Sequence, residues 1–520
     1  MAQKMRRSGI LLHPTSLPGP DGIGDLGPEA YRWVDFLADS GTQMWQVLPL
    51  GPTGYGDSPY QCFSAFAGNP YLVSPLLLLE EGLLSKSDMA DRQEFPNEQV
   101  DFGPVINWKL TILDRAYEHF KVTKDQDILN RFRVFLESEQ NWLEDYALFM
   151  AIKADQGGES WLSWPMPLRS RNPELLAAKR EQLAADILKE KFKQFLFFEQ
   201  WEALHQYARG RGILIIGDMP FVISMDSADV WANPELFLMD EEIKPTFVAG
   251  VPPDYFSVTG QLWGNPLYRW EVHQKQDFKW WKDRLSAVLK LVDLVRLDHF
   301  RGFAAAWHVP FGNPTAIEGK WINSKGQELF AAFKAAYPSL PIIAEDLGVI
   351  TEDVKALRDG FGLPGMKILQ FGFTGDPEDD FLPHHYPENC FAYTGSHDNN
   401  TARGWYNNAT KKEKDFCRGY LNTDGSDIAW SMMRAIWQSV AADVVAPMQD
   451  LLSLPENARM NMPGVESGNW SWRMSAGSLS PELAKRFYEL NLLYSRLPEE
   501  QKAEYTEKLT REMAGEVKPH

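Results

Sequence analysis

At 520 residues and a net charge of −19 (52 Lys and Arg against 71 Asp and Glu), the chain is longer than one ordinary domain. It is also too acidic to have nucleic acid or an anionic membrane surface as its main partner. A hydrophobic fraction of 44% is that of a soluble globular protein, and no stretch reaches the ~18 consecutive apolar residues that span a bilayer. The three scattered cysteines, Cys62, Cys390 and Cys417, form neither a metal-type pairing nor a disulfide framework, so free thiols in a reducing compartment are expected.

The basic, briefly apolar start MAQKMRRSGILL is interrupted by Pro14 too early for a signal-peptide core, so GILL reads as a first strand. A cytoplasmic location is expected, with a plastid stroma as the alternative if a transit peptide has been removed. Eight strands are predicted in order, over residues 9–13, 44–49, 213–218, 294–298, 342–345, 367–371, 391–395 and 444–448. Most are short runs of leucine and β-branched residues without polar alternation, as strands covered on both faces are. Helical patterns fall between them, for example over residues 28–39 and 280–291. Alternating strand and helix implies a parallel sheet, and a count of eight favours a closed (β/α)8 TIM barrel of class α/β over an open sheet. No glycine-rich phosphate loop follows the first strand.

Two gaps are too long for simple crossovers. Residues 72–208, between strands two and three, are charged and helix-periodic at 110–136 and 173–207, and predict a mostly helical insertion. Residues 219–290, between strands three and four, are rich in Pro, Gly and aromatics, and predict an irregular lobe over the active face. From residue 480 the tail reads as two helices and a frayed end. The whole chain is expected to be one catalytic barrel domain carrying these insertions.

Three acidic residues follow apolar strands: Asp298 in LVDLVRLDHFRG, Glu345 in LPIIAEDLG and Asp398 in FAYTGSHDNN. In a barrel of this kind the carboxyl ends of all strands open on one face, where the chemistry is done. Converging carboxylates repel and lose water together, so a chain that gathers them has a use for them. Arg296 and Asp298 are two apart on a strand and point the same way; a guanidinium there favours the ionised carboxylate that a nucleophile needs, or else the pair is a salt bridge lining the barrel. Glu345 beside apolar walls suits a proton donor, or else it caps a helix, a role that neighbouring Asp346 fits as well. His397 and Asp398 together suit a polyol, or else they form a loop cap before Asn399, Asn400 and Thr401. Asp218, after ILIIG, adds a fourth acidic group with either a structural or a site role. Retaining glycoside chemistry wants a nucleophile and an acid/base carboxyl about 5 Å apart, a spacing that neighbouring strand ends can supply.

These stretches resemble the signature regions of the α-amylase superfamily, and more closely glycoside hydrolase family 77, the 4-α-glucanotransferases or amylomaltases. The resemblance runs through GILLHPTSLPGPDGIGDLG, WQVLPLGPTGYGDSPYQCFSAFAGNPYL, GDMPFVISMDSADVWANP, AGVPPDYFSVTGQLWGNPLY, VRLDHFRGF, IIAEDLGVIT, TGSHDNNTARGW and ARMNMPGVESGNWSWR, nearly the whole chain. It implies transfer of an α-1,4-glucan segment from a donor such as a maltooligosaccharide or amylose to the 4-hydroxyl of glucose or another glucan, by retaining double displacement. It implies Asp298 as nucleophile, Glu345 as general acid/base and Asp398 as transition-state stabiliser. Arg296, His397, Tyr60 and Asp218 are then expected around the cleavage subsite, Phe256 and Trp263 on a loop over the cleft, Asn469 at a donor sugar, and Tyr55 at glucan farther out. No cofactor and no catalytic metal are implied, and a monomer or weak homodimer is expected. Rival readings are a glucan hydrolase with the same three carboxylates and, from another class, a Mg²⁺-dependent barrel lyase or epimerase. The latter wants a Lys or His base at a neighbouring strand end, and Lys367 is expected to open strand six, at the wrong end.

Overall fold

The computed structural model describes residues 5–253, 257–465 and 467–513. Twelve strands occur among these residues: β1 (Arg7–Leu11), β2 (Met44–Gln46), β3 (Leu214–Pro220), β4 (Phe247–Val251), β5 (Gln261–Pro266), β6 (Leu294–Asp298), β7 (Ala305–Pro310), β8 (Lys320–Asn323), β9 (Ile342–Ala344), β10 (Gly365–Ile368), β11 (Cys390–Tyr393) and β12 (Asp443–Pro447). Eight of them form one parallel sheet in the order β10-β11-β12-β1-β2-β3-β6-β9. These are the eight predicted strands, and the sheet curls into a (β/α)8 barrel. Their residues are apolar almost throughout because helices cover the outside and packed side chains fill the inside. Trp45 of β2, for example, is fully buried and lies 6.2 Å from Trp201 on the covering helix Ala184–Gly210.

The sheet closes at a narrow seam. Strands β9 and β10 share a backbone bond from the Ala344 N–H to the Pro364 carbonyl, 2.9 Å long. Asp346 extends it: one carboxylate oxygen accepts the Met366 N–H at 2.7 Å, and the other pairs with Arg358. A Cβ on Gly365 would stand 2.6 Å from that carboxylate, so glycine is required for the close approach. Asp346 is therefore a strut of the barrel. The cap of the helix that follows, Glu352–Gly360, is Thr351.

Between β2 and β3 the chain is helical, with Phe102–Val122, Gln126–Asp155, Pro173–Gln182 and Ala184–Gly210 as its long elements. The two periodic stretches of the sequence are each divided. Asp125 caps a new helix by accepting the Asp127 N–H at 2.9 Å, and Leu183 separates the later pair. Helix spacing alone does not register such a break, because the apolar face continues across it.

The segment expected to be irregular is instead built around a second, antiparallel sheet in the order β5-β4-β7-β8. Half of it comes from after β3 and half from after β6. Short strands rich in Gly, Pro and Trp carry little alternation, and the pairing partner lies beyond the intervening barrel strand, so local pattern did not reveal it. Two side chains moor this lobe to the loop after β3: Asn265 Nδ2 donates to the Ile223 carbonyl and Tyr268 OH to that of Phe221, each at 2.7 Å. Lys367 lies inside β10 and does not open it; its ammonium sits 5.2 Å from the Phe381 ring. Among the described residues no helix is long and apolar enough to cross a membrane.

Asp346→Ala would leave the Met366 N–H and the Arg358 guanidinium without their shared partner. A loss of about 2–3 kcal/mol is expected, read as a lower denaturant midpoint, while substitution of exposed Asp359 by Ala leaves the midpoint within about 0.5 kcal/mol.

Candidate active site

The parallel register of β3 and β6 sets Asp218 opposite Arg296 and Pro220 opposite Asp298. Arg296 thus stands between two carboxylates. Its Nη1 donates to Asp218 Oδ2 at 2.6 Å and its Nη2 reaches Asp298 Oδ1 at 2.9 Å. The Arg296 and Asp218 side chains are sealed from solvent, while that of Asp298, the last residue of β6, stays 27% exposed on the cleft side. Burial pushes the Asp218 carboxyl above the usual range, against the pull of Arg296. The bracketing carboxylates hold the guanidinium firmly charged despite its burial.

Glu345 immediately follows β9, the neighbour of β6. Its two carboxylate oxygens each accept a backbone N–H, from His299 at 2.6 Å and from Leu347 at 2.9 Å. Burial raises this carboxyl well above the ordinary glutamic acid range, with Arg296 pulling it down and Asp298 pushing it up. The two amides orient the group and favour its anion, so a proton taken up there is held against a defined geometry. His299 reaches Glu345 by adopting a left-handed backbone, φ 51°, which is strained for any residue but glycine. Its half-buried ring meets Trp263 of β5 edge-on, with centroids 4.8 Å apart and planes at 84°. Burial holds His299 down at about 4, so it is a neutral ring.

Asp398 stands on the loop after β11. Asn461 Nδ2 donates to its Oδ1 at 2.6 Å, His397 Nε2 lies 3.4 Å from the same oxygen, and Arg459 Nη2 donates to its backbone carbonyl at 2.5 Å. The loop is anchored from below by Asp450, which accepts from Thr394 Oγ1 at 2.6 Å and from the Ala402 N–H at 2.7 Å. Tyr60 links this side to the other. Its hydroxyl donates to Asp218 Oδ2 at 3.1 Å, and its ring stacks on His397 at 5.2 Å and 16°. Trp470 packs at a tilt against both rings, 5.7 and 5.9 Å away.

Of the residues singled out from the sequence, Asp218, Arg296, Asp298, Glu345, Tyr60, His397, Asp398 and Trp263 are linked in this one cluster. Asn469 is not: its side chain accepts the Met462 N–H at 2.9 Å and donates to the Val465 carbonyl at 2.8 Å, tying the 462–469 loop that leads into Trp470. Phe256 and the side chain of Tyr55 lie outside the described residues. The sequence reading assigned no role to His299, Arg459, Asn461 or Trp470. All four sit in motifs it quoted, but their parts depend on a backbone twist or on long-range contact that spacing does not carry. Among the described residues no group of three or more His, Cys, Asp and Glu side chains is arranged to hold a metal ion.

A (β/α)8 barrel with an arginine-braced aspartate and a half-buried glutamic acid of raised pKa at adjacent strand ends has the form of a barrel enzyme that works with paired carboxyls, as retaining glycoside chemistry requires. The family model described as 4-alpha-glucanotransferase, glycoside hydrolase family 77, matches residues 12–479. The 4-alpha-glucanotransferase of Thermus thermophilus is 51% identical over 489 residues, covering 92% of this chain and 97% of the relative. That of Clostridium butyricum is 45% identical over 93% of this chain and all of the relative. The amylomaltase of Streptococcus agalactiae, solved in complex with acarbose, superposes with a TM-score of 0.92 at 41% identity, covering 95% of this chain and 100% of that one. The chain belongs to the 4-α-glucanotransferase family, and its activity is that of the family.

Arg296→Leu is expected to cost about 3–5 kcal/mol of stability, because it leaves Asp218 and Asp298 side by side without a counter-charge. Adding Asp218→Asn to that variant should recover part of the loss. Equal denaturation midpoints for the single and double variants would refute the pairing as the cause.

Proposed function

We propose that this enzyme moves a segment of an α-1,4-glucan to the 4-hydroxyl of glucose or of a second glucan through a covalent intermediate on Asp298. The observation that carries this reading is the contrast at two adjacent strand ends. Asp298 is partly open to the cleft and braced directly by Arg296, while Glu345, likewise half-buried, has its carboxyl raised by desolvation and is disposed to keep a proton. In the first step Glu345 gives its proton to the glycosidic oxygen as Asp298 attacks C1, and the leaving fragment departs with a free hydroxyl. In the second, Glu345 takes the proton of the acceptor hydroxyl, which displaces Asp298 from C1. Two inversions retain the α-configuration.

The remaining residues position the sugar. Asp398, held by Asn461, offers a carboxylate to ring hydroxyls and stabilises the positive charge that develops at C1 in the transition state. Tyr60 and Trp470 supply flat apolar faces, and His397 a ring nitrogen. Trp263, packed edge-on against His299, is proposed to contact the acceptor. Transfer must outcompete water, which oriented acceptor binding against an aromatic wall can do. The relative solved with acarbose supports a cleft for a glucan-like ligand. Asn469 is proposed at a donor sugar, Phe256 with Trp263 on the loop over the cleft, and Tyr55 at glucan farther out. The enzyme works as a monomer or weak homodimer in a reducing compartment, where Cys62, Cys390 and Cys417 are stable as thiols outside any disulfide.

Incubation with a slow fluorinated maltosyl donor, followed by peptide mapping, should place the label on Asp298, and Asp298→Asn should lose both transfer and hydrolysis by more than about 10⁴-fold. A label on another residue would end this assignment.

The first step needs the protonated form of Glu345, whose proton is lost as pH rises through its raised value. The alkaline limb of kcat/KM should therefore fall above the ordinary carboxylic acid range and vanish from the profile of Glu345→Gln assayed with a donor whose leaving group needs no proton. A limb that persists in that variant belongs to another group.

Maltotriose alone should yield longer oligomers together with glucose and maltose. Trp263→Ala should raise the hydrolysed share severalfold, measured as reducing ends per transfer event; an unchanged ratio assigns the indole a packing role only.

A further inference from the structure

A cavity of about 20 Å³ with a mixed lining adjoins the ring cluster; His13, Ser16, Ser396, His397 and Gln449 supply its polar side and Leu48 and its neighbours the apolar one. That volume admits one water and no larger ligand. His397, itself only 5% exposed, has its two ring nitrogens in different settings. Nε2 lies 3.4 Å from Asp398 on the substrate side. Nδ1 is buried and has no hydrogen-bond partner among the described residues. A buried imidazole nitrogen in that state is costly, and a water-sized cavity at the ring with polar groups in its wall is where its partner belongs.

His13 supplies the other half. Its Nδ1 accepts the Leu48 N–H at 3.3 Å, so Nδ1 carries no proton. Burial, with the nearby His397, holds the ring down at about 3 and therefore neutral. The single proton of a neutral imidazole then sits on Nε2, which makes His13 Nε2 a donor with no acceptor among the described residues, on a ring that lines the same cavity.

We propose that one bound water joins the two histidines, accepting the His13 Nε2–H and donating to His397 Nδ1. An accepting Nδ1 leaves the proton of His397 on Nε2, where it faces Asp398 and, in the function proposed above, a sugar hydroxyl. The opposite tautomer would set a lone pair against the Asp398 carboxylate. His13 touches no substrate in this arrangement; it is a positioning residue that acts through the water on the tautomer of His397. The inference rests on the proposed function only for what His397 meets in the cleft, and its spectroscopic test needs no substrate.

The test is ¹⁵N–¹H correlation of histidine rings in the full chain, with the His397 signals assigned by their loss in His397→Gln. The wild-type protein should show His397 protonated at Nε2 with Nδ1 accepting a hydrogen bond. In His13→Leu, which fills the cavity, the Nδ1 resonance should move toward that of a free pyridine-type nitrogen. Transfer from maltotriose should fall about tenfold in kcat with KM little changed. His13→Gln, which retains an N–H donor, should restore both. Protonation of His397 at Nδ1 in the wild type, or a wild-type Nδ1 without a hydrogen bond, overturns the proposal whatever the variants do. So does an unmoved Nδ1 resonance in folded His13→Leu. The expected tautomer and shift in a chain that forms no glucan products would support this inference and defeat the proposed function.

Discussion

Arg296 holds two carboxylates together in the interior of the barrel, and the rest of the site is arranged around that fact. A buried guanidinium with one carboxylate is close to neutral as a pair; with two it is an anionic triad, and the excess charge must face somewhere. It faces the cleft through Asp298. The same guanidinium acts on Glu345, pulling its carboxyl down while burial and Asp298 push it up. One side chain therefore influences both carboxyls at the adjacent strand ends. It is placed by nothing more than the register of two parallel strands, which sets Asp218 opposite Arg296.

The aromatic side of the site follows from the same constraint. Tyr60 comes from the long loop after β2, and its hydroxyl donates to the Asp218 carboxylate. That bond fixes the ring that stacks on His397, which in turn meets Trp470. Loops from three distant parts of the chain are thus tied to one buried charge. Loops of this kind carry specificity because a rigid scaffold sets where they begin.

The barrel was legible in the sequence because all eight strands are short continuous apolar runs, and a strand buried on both faces has no other signature. Shifts of a residue or two, as at β1 and β10, did not alter which residues reach the open end. Asp298, Glu345 and Asp398 were legible as acids that follow such runs. The second sheet was not, since its halves are separated by β6 and neither half alternates. The roles of His299 and Asp346 were hidden for a different reason. The first acts through its backbone N–H and a left-handed φ, the second through the main chain of a strand twenty residues on. Side-chain chemistry read along the sequence gives no hint of either. Asn469 shows the converse, a polar residue in a recognisable motif whose hydrogen bonds are spent within its own loop.

The two-part origin of the antiparallel sheet bears on how this fold can be altered. Strands β4 and β7 pair across a gap that contains β6 and the aspartate at its end. Replacing the lobe after β3 alone would expose the long edge of β7 as an unsatisfied row of amides and carbonyls, open to self-association. Chimaeras with related barrels must therefore exchange residues 247–266 and 305–323 as a matched pair. For the same reason, sequence change in the wall around Trp263 is constrained by β7 and β8, which lie more than forty residues further along the chain.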